Sequence, residues 1–228
     1  TLQSLAALDA LHEPEAGRSR KKPLFDDEAD QDRIPASIDA LREELSRKLA
    51  GMAAGHADAF LAKLSNEQLE HLACDFEIYA HDHQLPPDFA NNGEPWTTWL
   101  LIGGRGAGKT RAGAEWIKRA AHAPKQAGEG ARRLAIIGET EHETREVMIE
   151  GVSGILAVHP RDRRPQWIPS RRRLEWDNGT IAQGFSAEDP ESLRGPQFSA
   201  AWADELAKWR HAEATFDNLQ FGLRLGAR

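Results

Sequence analysis

Cysteine is almost missing: Cys74 is the only one in 228 residues. An internal disulfide and a cysteine-built zinc cluster are therefore excluded, and a reducing, cytoplasmic compartment is the expectation. Long apolar runs are missing too. None approaches the roughly 20 residues that a membrane-spanning helix needs, so no membrane association is expected. The first residues, Thr1 to Leu11, lack the basic start and extended apolar centre of a secretory signal. Positive charge is not in excess: 29 Lys and Arg face 36 Asp and Glu, for a formal net charge of -7. That excludes a general basic coat for nucleic acid and leaves only a local basic face. No internal repeat is present. What remains is a globular composition, 40% hydrophobic and 29% charged, long enough for one sizeable domain or two small ones.

Three stretches differ in texture. Residues 1–35 place a basic run, Arg18, Arg20, Lys21 and Lys22, beside an acidic run, Asp26, Asp27, Glu28, Asp30 and Asp32. Adjacent opposite charge blocks with few apolar residues predict a disordered tail. Residues 36–93 read as a helical lead-in. Ile38, Leu41, Leu45 and Leu49 recur at helical spacing, and a second helix is expected over Ala57 to Leu64. Ser65 with Gln68 forms a capping box for a helix through Leu69, Leu72, Phe76 and Tyr79, ended by Pro86 and Pro87.

Residues 94–228 alternate between strand and helix signals. Strands are predicted over Thr97 to Ile102, Leu134 to Ile137 and Phe198 to Ala203. Helices are predicted over Lys109 to Ala121, Glu141 to Ile149 and Ala212 to Leu225. Leu174 to Trp176 and Ile181 to Phe185 flank Asp177-Asn178-Gly179, a β-hairpin signal. The alternation implies an α/β fold with a mainly parallel sheet flanked by helices.

Gly103-Gly104-Arg105-Gly106-Ala107-Gly108-Lys109-Thr110 fits the phosphate-loop pattern at every position. Glycines let successive backbone N–H groups turn toward phosphate oxygens. Lys109 would carry charge to the β- and γ-phosphates of ATP, and Thr110 would offer its hydroxyl to Mg²⁺. A phosphate loop needs a carboxylate from a neighbouring strand. The apolar run from Phe198 to Ala203 delivers Asp204 and Glu205 at its carboxyl end, where open α/β sheets bind ligands. Asp204 would hold the metal, and Glu205 would be the general base for an attacking water. Two adjacent acids in these roles suggest a motor-type ATPase rather than a kinase.

From about Leu64 to Arg228 the sequence resembles the N-terminal ATPase domain of large terminase subunits, the phage DNA-packaging motors. The likeness is greatest to the branch used by gene transfer agents. It is carried by the lead from Trp96 to Trp99 into the phosphate loop, by RAGAEW from Arg111, and by REVMIEGVSGIL from Arg145. It continues through WIPSRRRLEWDNG from Trp167, FSAEDPESLRGPQF from Phe185, and AAWADELAKW from Ala200. The resemblance implies a P-loop NTPase fold of the ASCE type and ATP hydrolysis that drives double-stranded DNA into a prohead. It implies a portal protein, a small terminase subunit and a homo-oligomeric ring of the full-length protein as partners. It gives Arg105 a role at the γ-phosphate and makes Arg194 a candidate finger for the ATP of a neighbouring subunit. In the family a further core strand with a Thr-rich coupling motif, and then a nuclease domain, follow the point reached at Arg228. Without them the chain reads as an incomplete motor core, and DNA cleavage is not expected of it. An adenine-contacting glutamine before the phosphate loop is not evident. The alternatives are a helicase- or recombinase-like DNA motor and a truncated, non-catalytic nucleotide-binding module that docks to a partner.

Two further clusters are weaker. Arg161, Arg163, Arg164, Arg171, Arg172 and Arg173 surround Trp167 and Trp176, and basic residues interleaved with aromatics can grip a nucleic-acid backbone. His81, Asp82 and His83 lack a further ligand at metal spacing and read as a helix end.

Overall fold

The computed structural model describes residues 61–123 and 132–225. The expectations for the charged tail and the first lead-in helices lie outside the described residues. Within them, the expected capping box forms. Ser65 Oγ accepts from the Gln68 N–H and Gln68 Oε1 accepts from the Ser65 N–H, opening α1 (Asn66–Ala73). The helix is shorter than its periodicity predicts. Asp75 turns its carboxylate onto the Glu77 N–H, which favours a fresh single turn over continued α-helix.

Five strands form one sheet: β1 (Arg133–Gly138), β2 (Gln166–Ile168), β3 (Arg173–Glu175), β4 (Ile181–Ser186) and β5 (Ala200–Ala203), in the order β2-β3-β4-β1-β5. β1 pairs in parallel with β4 and β5, whereas β2, β3 and β4 form an antiparallel meander. The sheet is therefore mixed, parallel at its centre and at β5 only. The predicted hairpin across Asp177-Asn178-Gly179 is present as β3 and β4, with Gly179 at φ +82° in the turn.

β1 is buried on both faces, and its side chains alternate between two cores. Leu134 and Ile136 join Ala114, Ile117 and Ala121 of α2 (Lys109–His122) and Met148 and Ile149 of α3 (Glu141–Ile149). The α3 segment opens as one α-turn and continues as π-helix from Thr144. Ala135 and Ile137 face Phe185, Phe198, Trp209 and Leu219, the last from α4 (Ala212–Gly222). Helices thus cover both faces of a central sheet.

The strand predicted over Thr97 to Ile102 does not form. Leu100 is 74% and Ile102 84% exposed, and none of these residues pairs with the sheet. A strand is stabilised by its ladder and by burial of a face, and this apolar run has neither among the described residues. Among the described residues, the outer edge of β5 is unpaired except near its start. There Leu223 bridges Phe198 in parallel, and the Leu225 N–H donates to the Phe198 carbonyl.

Two close contacts make predictions. A Cβ built on Gly113 of α2 would lie 2.1 Å from the Trp202 indole of β5. Gly113→Ala should therefore destabilise by about 1–3 kcal/mol, despite the roughly 1 kcal/mol that alanine gains in helix propensity. A chemical denaturation midpoint at or above wild type would contradict this packing. The second contact is His159, whose Nδ1 lies 2.7 Å from the Ile155 carbonyl and whose Nε2 accepts from Trp176 Nε1 at 3.1 Å. Burial pushes its pKa down to about 3, below the ordinary 6.5. The folded state then binds fewer protons than the unfolded chain between those values. Its contribution is complete above pH 6.5 and is lost as pH falls toward 3, at up to about 1.4 kcal/mol per pH unit. Acid titration of the unfolding free energy should show this slope, and His159→Asn should flatten it.

Candidate active site

The glycines of the loop place the backbone where other residues resist going. Gly106 and Gly108 have φ of +80° and +75°, and Gly108 is the N-cap of α2. α2 starts at Lys109 because the loop glycines stop there and Lys-Thr-Arg-Ala-Gly-Ala-Glu-Trp presents Ala112, Gly113, Ala114 and Ile117 to the core. Lys109 Nζ donates to the carbonyls of Gly103 at 2.9 Å and Gly104 at 3.1 Å. It also lies 3.9 Å from Glu205 Oε1.

β5 brings the acidic pair to the same place. The Asp204 N–H donates to the Ile137 carbonyl at 3.0 Å, and the Trp209 indole N–H donates to the Asp204 carbonyl at 3.0 Å. With its main chain fixed, Asp204 accepts the Thr110 hydroxyl on Oδ2 at 3.2 Å, across 94 residues of sequence. Burial raises the Asp204 pKa, and the Glu205 charge adds to this. The Thr110 hydrogen bond and the Lys109 charge oppose the rise. A half-buried carboxylate held beside a hydroxyl is a set of hard oxygen donors that a divalent cation would keep ionised. Glu205 is exposed, with a left-handed backbone at φ +51°, and also faces Lys208 at 3.7 Å. A non-glycine residue held there costs of order 1–3 kcal/mol, a strain that clusters at functional sites.

Lys109, Thr110, Asp204 and Glu205 are thus together, with Gly103, Gly104, Gly106, Ala107 and Gly108 forming the loop around them. Arg105 stands exposed on the loop. Arg194 is elsewhere. It pairs with Glu191 at 2.7 Å and reaches Asn218 of α4 at 3.4 Å. That puts it beside the second half of α4, toward the start of β5 rather than the carboxyl end that carries Asp204.

The arginine and tryptophan cluster is not a stacking platform. Trp176 is buried on His159, and Trp167 packs against the core. Arg172 pairs with Glu141, Arg173 with Glu175, Arg161 with Glu70 and Arg163 with Asp162. The aromatic half of the expected nucleic-acid grip is spent on the fold. His81 and His83 stack on each other at 5.5 Å within a single turn of helix.

One residue escaped the sequence reading. Gln84, in a 3-10 turn (Asp82–Gln84), donates from Nε2 to the Ala107 carbonyl of the loop at 3.0 Å. Its position before a proline pair was the available signal.

The family model for the terminase large subunit, T4likevirus-type, N-terminal, matches residues 100–227. The chain belongs to the large terminase subunit family. Membership associates it with phage DNA packaging, and the matched span contains the glycine-rich loop from Gly103 to Thr110, β1 to β5 and the acidic pair. No curated protein and no solved structure matches the chain. Among the described residues, no helix is long and apolar enough to cross a membrane.

Proposed function

We propose that this chain is the ATPase core of a DNA-packaging motor, a P-loop NTPase of the ASCE type that hydrolyses ATP to move double-stranded DNA into a prohead. The observation that carries the reading is the hydrogen bond from Thr110 to Asp204. Two motifs far apart in sequence meet with the polarity that a phosphate and its counter-ion require.

The loop N–H groups and Lys109 would bind and orient the phosphates, and the positive end of α2 favours the same anion. Thr110 and Asp204 would hold Mg²⁺, which neutralises phosphate charge when bound. Glu205 would take a proton from the attacking water at one of its carboxylate oxygens. Lys109 and Lys208 both lie beside Glu205, at 3.9 and 3.7 Å. Arg105, exposed on the loop, would act at the γ-phosphate. The placement of Arg194 away from the loop of its own chain suits a role on the ATP of a neighbouring subunit. An arginine so supplied is worth about 10³–10⁵ in rate.

A portal protein, a small terminase subunit and a ring of full-length subunits are the partners this reading calls for, in the cytoplasm of a host cell and in the gene-transfer-agent branch. Mg²⁺-dependent ATP hydrolysis, measured over a range of protein concentrations, tests it. Turnover that rises more steeply than protein concentration, and that falls on Arg194→Ala, is the expected result. ATP binding with no hydrolysis at any concentration would leave a nucleotide-binding module and remove the catalytic reading.

A further inference from the structure

We propose that Gln84 is a positioning residue that holds the Ala107–Gly108 peptide with its N–H turned into the phosphate loop. The inference rests on the reading of that loop as a phosphate site and goes beyond it, to what sets the loop's geometry.

A trans peptide is planar, and its C=O and N–H point in opposite directions. Gln84 Nε2 holds the Ala107 carbonyl at 3.0 Å from the lead-in side, so the Gly108 N–H of the same peptide faces the other way. No described residue accepts that N–H. Such donors, aligned along a loop, form a concavity for anions. Glycine makes the orientation cheap to lose. Gly108 tolerates either sign of φ, so the peptide can flip at little steric cost. Something outside the loop must therefore fix it.

Gln84 is built to do this. Its Oε1 accepts the His81 N–H at 3.0 Å, which leaves Nε2 as the end that faces the loop. A Cβ on Gly108 would lie 2.4 Å from Nε2, so a side chain there would displace the amide from its place against the loop, and the φ of +75° favours glycine as well. The lead-in that carries Gln84 is itself anchored to α2. Arg111 bonds the Tyr79 hydroxyl, and Lys118 bonds the Cys74 carbonyl. The amide is thus referenced to the same helix that the loop caps.

The test uses two variants of the full chain. Gln84→Glu keeps the shape and removes the donor. Gln84→Ala removes the whole side chain. Two readouts are taken. The first is the Gly108 amide resonance in nucleotide-free protein, which should move or broaden in both variants. The second is affinity for ATP, GTP and tripolyphosphate in the presence of Mg²⁺, measured by calorimetry. All three should weaken by a similar factor, about tenfold for the loss of one such bond. A Gly108 resonance unchanged in both variants overturns the proposal. A loss confined to the two nucleotides, with tripolyphosphate unaffected, also overturns it, because Gln84 would then read the nucleoside rather than set the loop. If the unaltered chain binds none of the three ligands, the phosphate-site reading fails, and the Gly108 resonance still decides whether Gln84 orients the peptide.

Discussion

Glu205→Gln should leave ATP bound nearly as tightly as before and lower Mg²⁺-dependent turnover by about 10²–10⁴-fold, the usual worth of a general base. The substitution preserves volume and the possibility of hydrogen bonding to Lys109 and Lys208, which lie 3.9 and 3.7 Å away. What it removes is the proposed proton acceptor. The main chain at Glu205 is already in the left-handed region, and glutamine meets the same strain there as glutamate, so the fold is not the variable. Single-turnover hydrolysis, paired with calorimetric binding, separates the two effects. Unchanged turnover would move the base elsewhere, and lost binding would make Glu205 part of the nucleotide cradle instead.

Glu115→Ala should unfold the protein more readily by about 3–5 kcal/mol, the range for removing one member of a buried ion cluster. Glu115 is only 6% exposed, yet it sits on α2 between Arg111 and Lys118 and pairs with both. Those two cations also carry the lead-in, through Tyr79 and the Cys74 carbonyl, and Lys118 reaches the Val158 carbonyl. Without the carboxylate, two positive charges remain half-buried about two turns apart on one face of the helix, with nothing between them. For a chain of this size the midpoint of thermal unfolding should fall by roughly 6–20 °C. Glu115→Gln, which retains hydrogen bonding, should lose less. A change under about 1 kcal/mol for alanine would mean that water reaches the cluster and screens it.

The chemistry-bearing motifs were legible because each is local. The loop glycines, the capping box at Ser65 and the acids after an apolar strand need no distant partner to be recognised. The features that were misread depend on what lies across space. The run from Thr97 to Ile102 has strand composition, but composition supplies no neighbour to pair with. β2 is three residues long between Pro165 and Pro169, too short for a period-2 signal. The sequence could only set Trp167 and Trp176 beside arginines, as a weak sign of a nucleic-acid grip. Trp176 is a core residue because His159 lies against it, and Trp167 packs partly buried on the same core. Gln84 was invisible as a site residue, since its meaning comes from a carbonyl 23 positions later. The parallel sheet was over-read: strand and helix signals alternate up to β1, but the stretch from Gln166 to Ser186 is a meander, and a meander needs no crossover helix.

The contact of Gly113 with Trp202 also bears on how the site can move. The indole fills the space that any side chain at position 113 would need. One helical turn along α2, about 5.4 Å in either direction, stand Lys109 and Ile117. Shear of α2 along β5 by one turn would drive one of those side chains into the ring. The ratchet motion by which packed elements slip past each other is therefore blocked at this interface. A one-turn slip would also part Thr110 on the helix from Asp204 at the strand end, so this contact holds the hydrogen bond between them in register.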